Sequence, residues 1–350
     1  MTDPDLAGGK TPALPSDPLQ TAMAQGAAEG SVCRILHLSD PHFGTERADA
    51  VRALEELTAA VRPTLLVVSG DITQRARREQ YQAARRFIDR LQACCGAPWL
   101  AIAGNHDIPL FDVAARVAWP LREYRRSISE QLEPEHSDAQ ALVLCVNTVR
   151  RWRHKDGEVS HAQIERVARR LQRAAPGQLR VVVTHQPVHV VDPAERKNLL
   201  IGHEAAVRRW AQAGADLILG GHIHSAYAVA LSESASGVLP ALWAVQAGTA
   251  VSSRVRREQP NSVNLICYRP PGVRDAAGRV LPRAVSVQQW DFQRAAQDPH
   301  HAEGEAGNVE GRLPGAGRFV RVLETELLPP PEVAAGQGTV IGLAAGEPVA

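Results

Sequence analysis

Lysine is nearly missing from this sequence. Of 350 residues only Lys10, Lys155 and Lys197 are of that type, so almost all positive charge is arginine. A codon bias accounts for that asymmetry before phosphate recognition does. Net charge is equally scant at +1, which excludes a global attraction to nucleic acid or to an acidic membrane surface. Aromatic residues make up only 4% of the chain, yet the apolar fraction of 44% is ordinary for a globular protein, so a sizeable core can form. No run approaches the roughly 18 consecutive apolar residues of a membrane span. The first residues scatter Asp3 and Asp5 among Gly and Pro, without the basic start and apolar core of a signal peptide, and this predicts a cytoplasmic protein. The five cysteines (Cys33, Cys94, Cys95, Cys145 and Cys267) lack metal-site spacing. Cys33 and Cys145 sit in strand-like runs where a thiol acts as a small hydrophobe, and the odd set fits a reducing compartment.

What is present begins after a leader. Residues 1–30 are rich in Ala, Gly, Pro and Asp without periodicity and read as disordered. From there short apolar runs alternate with helical stretches. Cys33–Leu38, Leu65–Ser69 and Trp99–Ala103 read as strands, and Ala50–Val61 and Glu79–Ala93 as helices; Tyr81, Ala84, Ile88 and Leu91 share one face of the latter. Ala141–Asn147, Leu179–Thr184 and Leu217–Gly220 continue the strands. Ser160–Arg173 and His203–Ala213 continue the helices, the first opening with a capping box from Ser160 to Gln163. Then helices stop, and Tyr227–Leu231, Ala241–Gln246, Ser262–Arg269 and Ala284–Asp291 read as consecutive strands. The alternating half predicts a largely parallel sheet covered by helices. The later strands predict a second sheet against the first. One domain over residues 31–295 is expected, followed by a low-complexity, mostly disordered tail at 296–350 with one edge strand at 318–323.

The polar residues at the strand ends are the informative ones. In chain order they are Asp40-Pro41-His42, Gly70-Asp71, Gly104-Asn105-His106-Asp107, His185 and Gly221-His222-Ile223-His224. Ligands of open α/β sheets bind beyond the carboxyl ends of the strands, so five strand ends aim Asp, Asn and His at one place. Mixtures of carboxylate and imidazole suit Mn, Fe and Zn, whereas Mg and Ca favour all-oxygen shells. A carboxylate can also bridge two ions, which a neutral imidazole cannot.

The ordered set DxH, GD, GNHD, H and GHxH resembles the calcineurin-like metallophosphoesterase superfamily. The stretches "ILHLSDPHFG", "VVSGDITQ", "AIAGNHDIP" and "GGHIHSA" are most similar to its bacterial class III cyclic-nucleotide phosphodiesterase branch, over roughly residues 33–291. The resemblance implies an α/β fold, a four-layer αββα sandwich of mixed sheets with the metal site at the carboxyl ends of the strands. It implies two divalent transition-metal ions, iron or manganese first and zinc as the alternative. One ion would be held by Asp40, His42, Asp71 and His224, the other by Asp71, Asn105, His185 and His222, with Asp71 bridging. A hydroxide bridging the ions would attack phosphorus, His106 would serve the leaving oxygen as general acid or steady the phosphoryl charge, and Asp107 would orient His106. The expected substrate is a small nucleotide-type ester such as a 3',5'-cyclic nucleotide, with no nucleic-acid or membrane partner and a homodimer as the expected assembly. A nuclease or phosphomonoesterase on the same site is the alternative, and a non-catalytic metal-binding scaffold a further one. The protein Ser/Thr phosphatase pattern GDxVDRG with GNHE is absent: the chain has Gly70-Asp71-Ile72-Thr73-Gln74 and GNHD.

Other conspicuous residues have plainer readings. His37, inside the first strand, reads as a satisfied core residue; His189 and His203 read as weaker pocket candidates; His136, His154, His161, His300 and His301 read as surface. The run Arg75, Arg77, Arg78, Arg85, Arg86 and Arg90 reads as a solvated helix face. Ile108–Arg126, with Phe111, Trp119, Tyr124, Arg125 and Arg126, fits either a substrate-stacking rim or a packing helix.

Overall fold

The computed structural model describes residues 32–110, 112–153, 155–231, 242–256, 259–275, 277–294 and 317–327. The expected leader, the expected tail apart from 317–327, and Phe111, His154, His300 and His301 lie outside the described residues. In chain order the strands are β1 (Cys33–Leu38), β2 (Leu65–Val68), β3 (Trp99–Ala101), β4 (Glu135–Ser137), β5 (Ala141–Cys145) and β6 (Leu179–Val183). They continue with β7 (Leu217–Gly220), β8 (Tyr227–Ala230), β9 (Trp243–Gln246), β10 (Ser262–Arg269), β11 (Ala284–Gln293) and β12 (Arg318–Glu326). The helices are α1 (Ala48–Val61), α2 (Arg78–Cys95), α3 (Val113–Ala118), α4 (Arg122–Ser127), α5 (His161–Leu171) and α6 (His203–Gln212).

Two six-stranded sheets result, ordered β12-β11-β10-β1-β2-β3 and β4-β5-β6-β7-β9-β8. Strand alternation decides which layer each side chain joins. In β1, Cys33 and Ile35 enter the space between the sheets, while Leu36 and Leu38 face the helix side. Leu65 and Val67 of β2 point inward and Leu66 and Val68 outward. Across the gap, Val143 and Cys145 of β5 meet the inner core, and Leu142 and Leu144 meet α5 and α6. β1, β2 and β5 are therefore mainly apolar on both faces, the sequence signature of a sheet covered on both sides. The outcome is the expected four-layer αββα sandwich. At the start of α5 the capping box is formed: the Gln163 amide donates to Ser160 Oγ at 3.3 Å, and the Ser160 amide donates to Gln163 Oε1 at 3.0 Å.

Three features differ from the sequence expectation. First, the late strands divide: β10, β11 and β12 widen the first sheet, with β10 antiparallel beside β1, whereas β8 and β9 join the second, beside the parallel β5, β6 and β7. An apolar strand records that it is covered, not which neighbour it pairs with. Second, 108–126 is no single helix. Trp119 precedes Pro120 and adopts φ −143° and ψ 60°, since a following proline disfavours helical backbone, and α3 and α4 are separate short turns. α4 packs, with Tyr124 buried and its hydroxyl donating to the Ala101 carbonyl at 2.8 Å, whereas α3 buries no residue. Third, β12 runs Arg318–Glu326, longer than the 318–323 segment, and pairs antiparallel with β11. Phe319 is buried with its ring 5.6 Å from that of Phe292, so a domain boundary at 295 omits part of the core.

Among the described residues no helix is long and apolar enough to cross a membrane. β1, β2 and β3 run parallel in one sheet, and β6 and β7 parallel in the other. The five polar strand ends follow these five strands, and this brings them to one edge of the sandwich.

Candidate metal centre

The loops leaving these strands hold unusual backbone. Asp40, His42, Asp71, His222 and His224 have φ of 52°, 43°, 50°, 73° and 57°, and only Arg62 and Ala76 share this left-handed region among described non-glycine residues. Each such residue costs on the order of 1–2 kcal/mol, a cost carried by the surrounding hydrogen bonds. The Asp40 amide donates to the Gly70 carbonyl at 3.1 Å, the His42 amide to Asp71 at 3.0 Å, and the Gly221 amide to His185 at 2.9 Å. Two glycines permit the close approach. A Cβ on Gly104 would lie 2.2 Å from both the Asp71 amide nitrogen and its Oδ1, and one on Gly221 would lie 1.8 Å from Ser39 Oγ.

The side chains converge. Asp40 Oδ1 lies 3.1 Å from His224 Nε2 and 3.6 Å from His42 Nε2, and the two imidazole nitrogens are 3.1 Å apart. Asp71 Oδ2 lies 3.8 Å from His42 Nε2, and its Oδ1 lies 3.3 Å from His185 Nε2. His222 completes a group with Asp71 and His185, and Asn105 Oδ1 is 3.2 Å from His185 Nε2. All seven expected ligand residues thus meet at one place. His106 is beside them: its amide donates to Asp71 Oδ1 at 2.8 Å, and its ring stands edge-on to that of His42 at 4.8 Å.

These residues fit a cation pair. His224 Nδ1 lies 2.7 Å from the Arg254 carbonyl and His185 Nδ1 lies 2.8 Å from the Ser69 carbonyl. A carbonyl only accepts, so each Nδ1 carries a proton, and with a cation in place each ring would turn an Nε2 lone pair inward. Asp40 divides its work: Oδ2 accepts from Ser39 Oγ at 2.6 Å and from the His222 amide at 2.8 Å, while Oδ1 is buried without a hydrogen-bond partner. A buried carboxylate oxygen surrounded by inward-facing acceptors is costly without positive charge between them. Burial pulls the His42 imidazole down, and burial reinforced by His185 pulls His222 down to about 3, so both stay in the neutral, ligating form. For His185 burial acts downward too, but Asp71 and Asp40 outweigh it and push the ring up to about 9. Asp71 in turn sits below the carboxylate range, because His185 and His106 overcome the opposing effect of burial. These carboxylates call for positive charge where a metal would supply it.

Asp107 takes a different place from the one expected. Its carboxylate does not hold the His106 ring. Oδ2 accepts from the amides of Gly104 at 2.9 Å and Ile72 at 3.0 Å, and Oδ1 from the Thr73 amide and hydroxyl, both at 2.9 Å. Asp107 therefore ties the loop after β3 to the loop after β2. The His106 ring is oriented instead by the Gln74 carbonyl, 2.9 Å from Nδ1. Outside the centre, His37 is buried in β1 with Nε2 2.9 Å from Ser69 Oγ. His203 Nδ1 meets the Leu200 carbonyl at 2.8 Å. All five cysteines are free.

A cleft of about 510 Å³ opens over the centre, and Lys155, Asn198, Arg254 and Arg256 line it together with Asp71, Asn105, His106, His222 and His224. The sequence reading missed the first four. They come from the segment after β5, the 3₁₀ turn Pro193–Asn198 and the loop after β9, none at a strand end. Arg254 and Arg256 were hidden among the many arginines of the chain.

The chain belongs to the calcineurin-like phosphoesterase family, whose profile matches residues 33–226. The enzyme class expected from the sequence, a metal-dependent phosphoric ester hydrolase, is the class that this membership and the clustered Asp and His side chains support. The glycerophosphodiester phosphodiesterase GpdQ of Enterobacter lignolyticus (strain SCF1) is 37% identical over 86 residues, which are 21% of this chain and 29% of that protein. The match therefore spans less than a third of that relative. Among solved structures, the purple acid phosphatase PPD1 from yellow lupin seeds is similar with a TM-score of 0.51 at 10% identity, covering 75% of this chain and 52% of that one. A dimetal phosphatase from Danio rerio has a TM-score of 0.48 at 14% identity, with 74% and 95% covered. The lupin protein shares the fold.

Proposed function

We propose that this protein is a dinuclear-metal phosphodiesterase acting on a small nucleotide-type ester such as a 3',5'-cyclic nucleotide. The observation that carries this reading is the placement of Asp71, whose two oxygens face two different histidine groups. In it, Asp40, His42, Asp71 and His224 hold one ion, and Asp71, Asn105, His185 and His222 hold the other. The mixed carboxylate and imidazole donor set suits iron or manganese, with zinc as the alternative. When bound, the two ions supply an activated water and positive charge at the phosphoryl oxygens.

The chain's own residues do the rest. The carbonyls of Ser69 and Arg254, bonded to Nδ1, keep His185 and His224 in one tautomer and orientation. The His106 amide steadies Asp71, and its ring, held at Nδ1 by the Gln74 carbonyl, would in the imidazolium form present Nε2–H to the departing oxygen. The cleft is of the size that suits a small-molecule ligand. The GpdQ relative is a glycerophosphodiester phosphodiesterase, which supports diesters over monoesters as substrates here. A panel of cyclic nucleotides, mononucleotides and bis-aryl phosphates, assayed with Mn²⁺, tests the proposal. Chelator-sensitive turnover is expected to favour diesters, and a consistent preference for monoesters would contradict it.

A further inference from the structure

Glu195 is a buried carboxylate with no part in the metal centre or the core. It lies in the 3₁₀ turn Pro193–Asn198 and is only 5% exposed. Its Oε1 pairs with the Arg256 guanidinium and its Oε2 accepts from the Asn198 amide. Both partners line the cleft over the metal centre. Burying a carboxylate is unfavourable unless it is fully paired. Burial raises the Glu195 carboxyl, and its bonds to Arg256 and Asn198 more than reverse that. The pairing thus fixes two rim side chains that would otherwise wander, joining the loop after β9 to the turn before α6.

The charge of that cluster suggests its ligand. The scissile phosphate is served by the metal centre, and Glu195 compensates the charge of Arg256. What the cluster offers is therefore a set of oriented N–H donors and an amide oxygen, suited to uncharged acceptors and hydroxyls. We propose that Arg256 and Asn198 form the subsite for the polar alcohol portion of the substrate, the sugar and base of a nucleotide-type ester, and that Glu195 is the positioning residue that holds them. This rests on the phosphodiesterase reading above and extends it to substrate selection. A site built to hydrogen-bond its ligand discriminates strongly against analogues that lack the matching groups.

Two diesters with one leaving group test this: thymidine 5'-(p-nitrophenyl) phosphate and ethyl p-nitrophenyl phosphate. Wild type is expected to prefer the thymidine ester in kcat/KM. Arg256→Ala and Glu195→Gln should each reduce that preference at least tenfold, mainly by raising KM for the thymidine ester, at unchanged metal content. In an Arg256→Ala/Asn198→Ala background, Glu195→Gln should add less than twofold, because it acts through those two side chains. A preference that survives in Arg256→Ala, whether both rates fall together or neither does, overturns the subsite and leaves the phosphodiesterase reading standing. An undiminished Glu195→Gln effect in the Arg256→Ala/Asn198→Ala background overturns the positioning role. Hydrolysis of neither ester by the metal-loaded wild type overturns both readings.

Discussion

The amide of His222 donates to Asp40 Oδ2 at 2.8 Å, tying the loop after β7 to the loop after β1. The same oxygen takes the Ser39 hydroxyl, so Oδ1 alone is left for the centre. Gly221 makes this contact feasible, since a Cβ there would lie 2.5 Å from Asp40 Oδ2. Gly221→Ala is therefore expected to turn the Asp40 carboxylate away and weaken metal binding roughly 10- to 100-fold, the scale on which outer partners of ligands act. Metal titration of the stripped protein measures it, with circular dichroism reporting the fold. Unchanged affinity would show that Asp40 does not depend on this packing.

Asp107 satisfies four buried donors from two loops. Asp107→Ala leaves them unpaired and should cost about 3 kcal/mol. Urea unfolding of metal-free protein separates this from any loss of metal. A change within about 0.5 kcal/mol, the usual range for surface substitutions, would mean that the loops are held by something else.

Much of this was legible in the sequence, and the gaps have physical reasons. Strand ends bearing Asp, Asn and His could be read because strand period and turn residues mark where each strand stops. The left-handed backbone at Asp40, His42, Asp71, His222 and His224 could not, because none is glycine and the modest left-handed enrichment of Asp and His does not single out these five among the chain's other Asp and His. Asp107 was read as the partner of its sequence neighbour His106, but a tight 3₁₀ turn sends its carboxylate back to Gly104 and across to Thr73. Glu195, Asn198 and Arg256 carry no motif, and tertiary contact alone brings them together.

β12 makes the far end of the chain part of the core. Phe319 is 4% exposed against Phe292 and the first-sheet core. Phe319→Ala should cost about 3–4 kcal/mol, as for other buried aromatic truncations. A chain ended at residue 295 should be poorly soluble, with the β11 edge open. Denaturant midpoints and solubility check both. Wild-type values would place 317–327 outside the folding unit.

His106 is tested by the leaving group. An alkoxide needs a proton as the bond breaks, whereas a nitrophenolate departs readily without one. His106→Asn is expected to slow a cyclic-nucleotide or alkyl ester by about 100-fold or more, and a nitrophenyl diester much less, with metal content unchanged. The comparison is kcat/KM of both enzymes on both substrates. Equal losses would assign His106 to phosphoryl charge or substrate placement instead.

The proposed bridging place of Asp71 is what would make the centre dinuclear. Its two oxygens face His42 at 3.8 Å and His185 at 3.3 Å, so it is the one side chain given to both ions. Metal analysis of purified wild type and of Asp71→Ala, beside single-ion variants such as His224→Ala and Asn105→Ala, tests this directly. About two transition-metal ions per wild-type chain are expected, with Asp71→Ala losing more than any other single change. Near-full occupancy in Asp71→Ala would contradict a bridged pair of ions at this site.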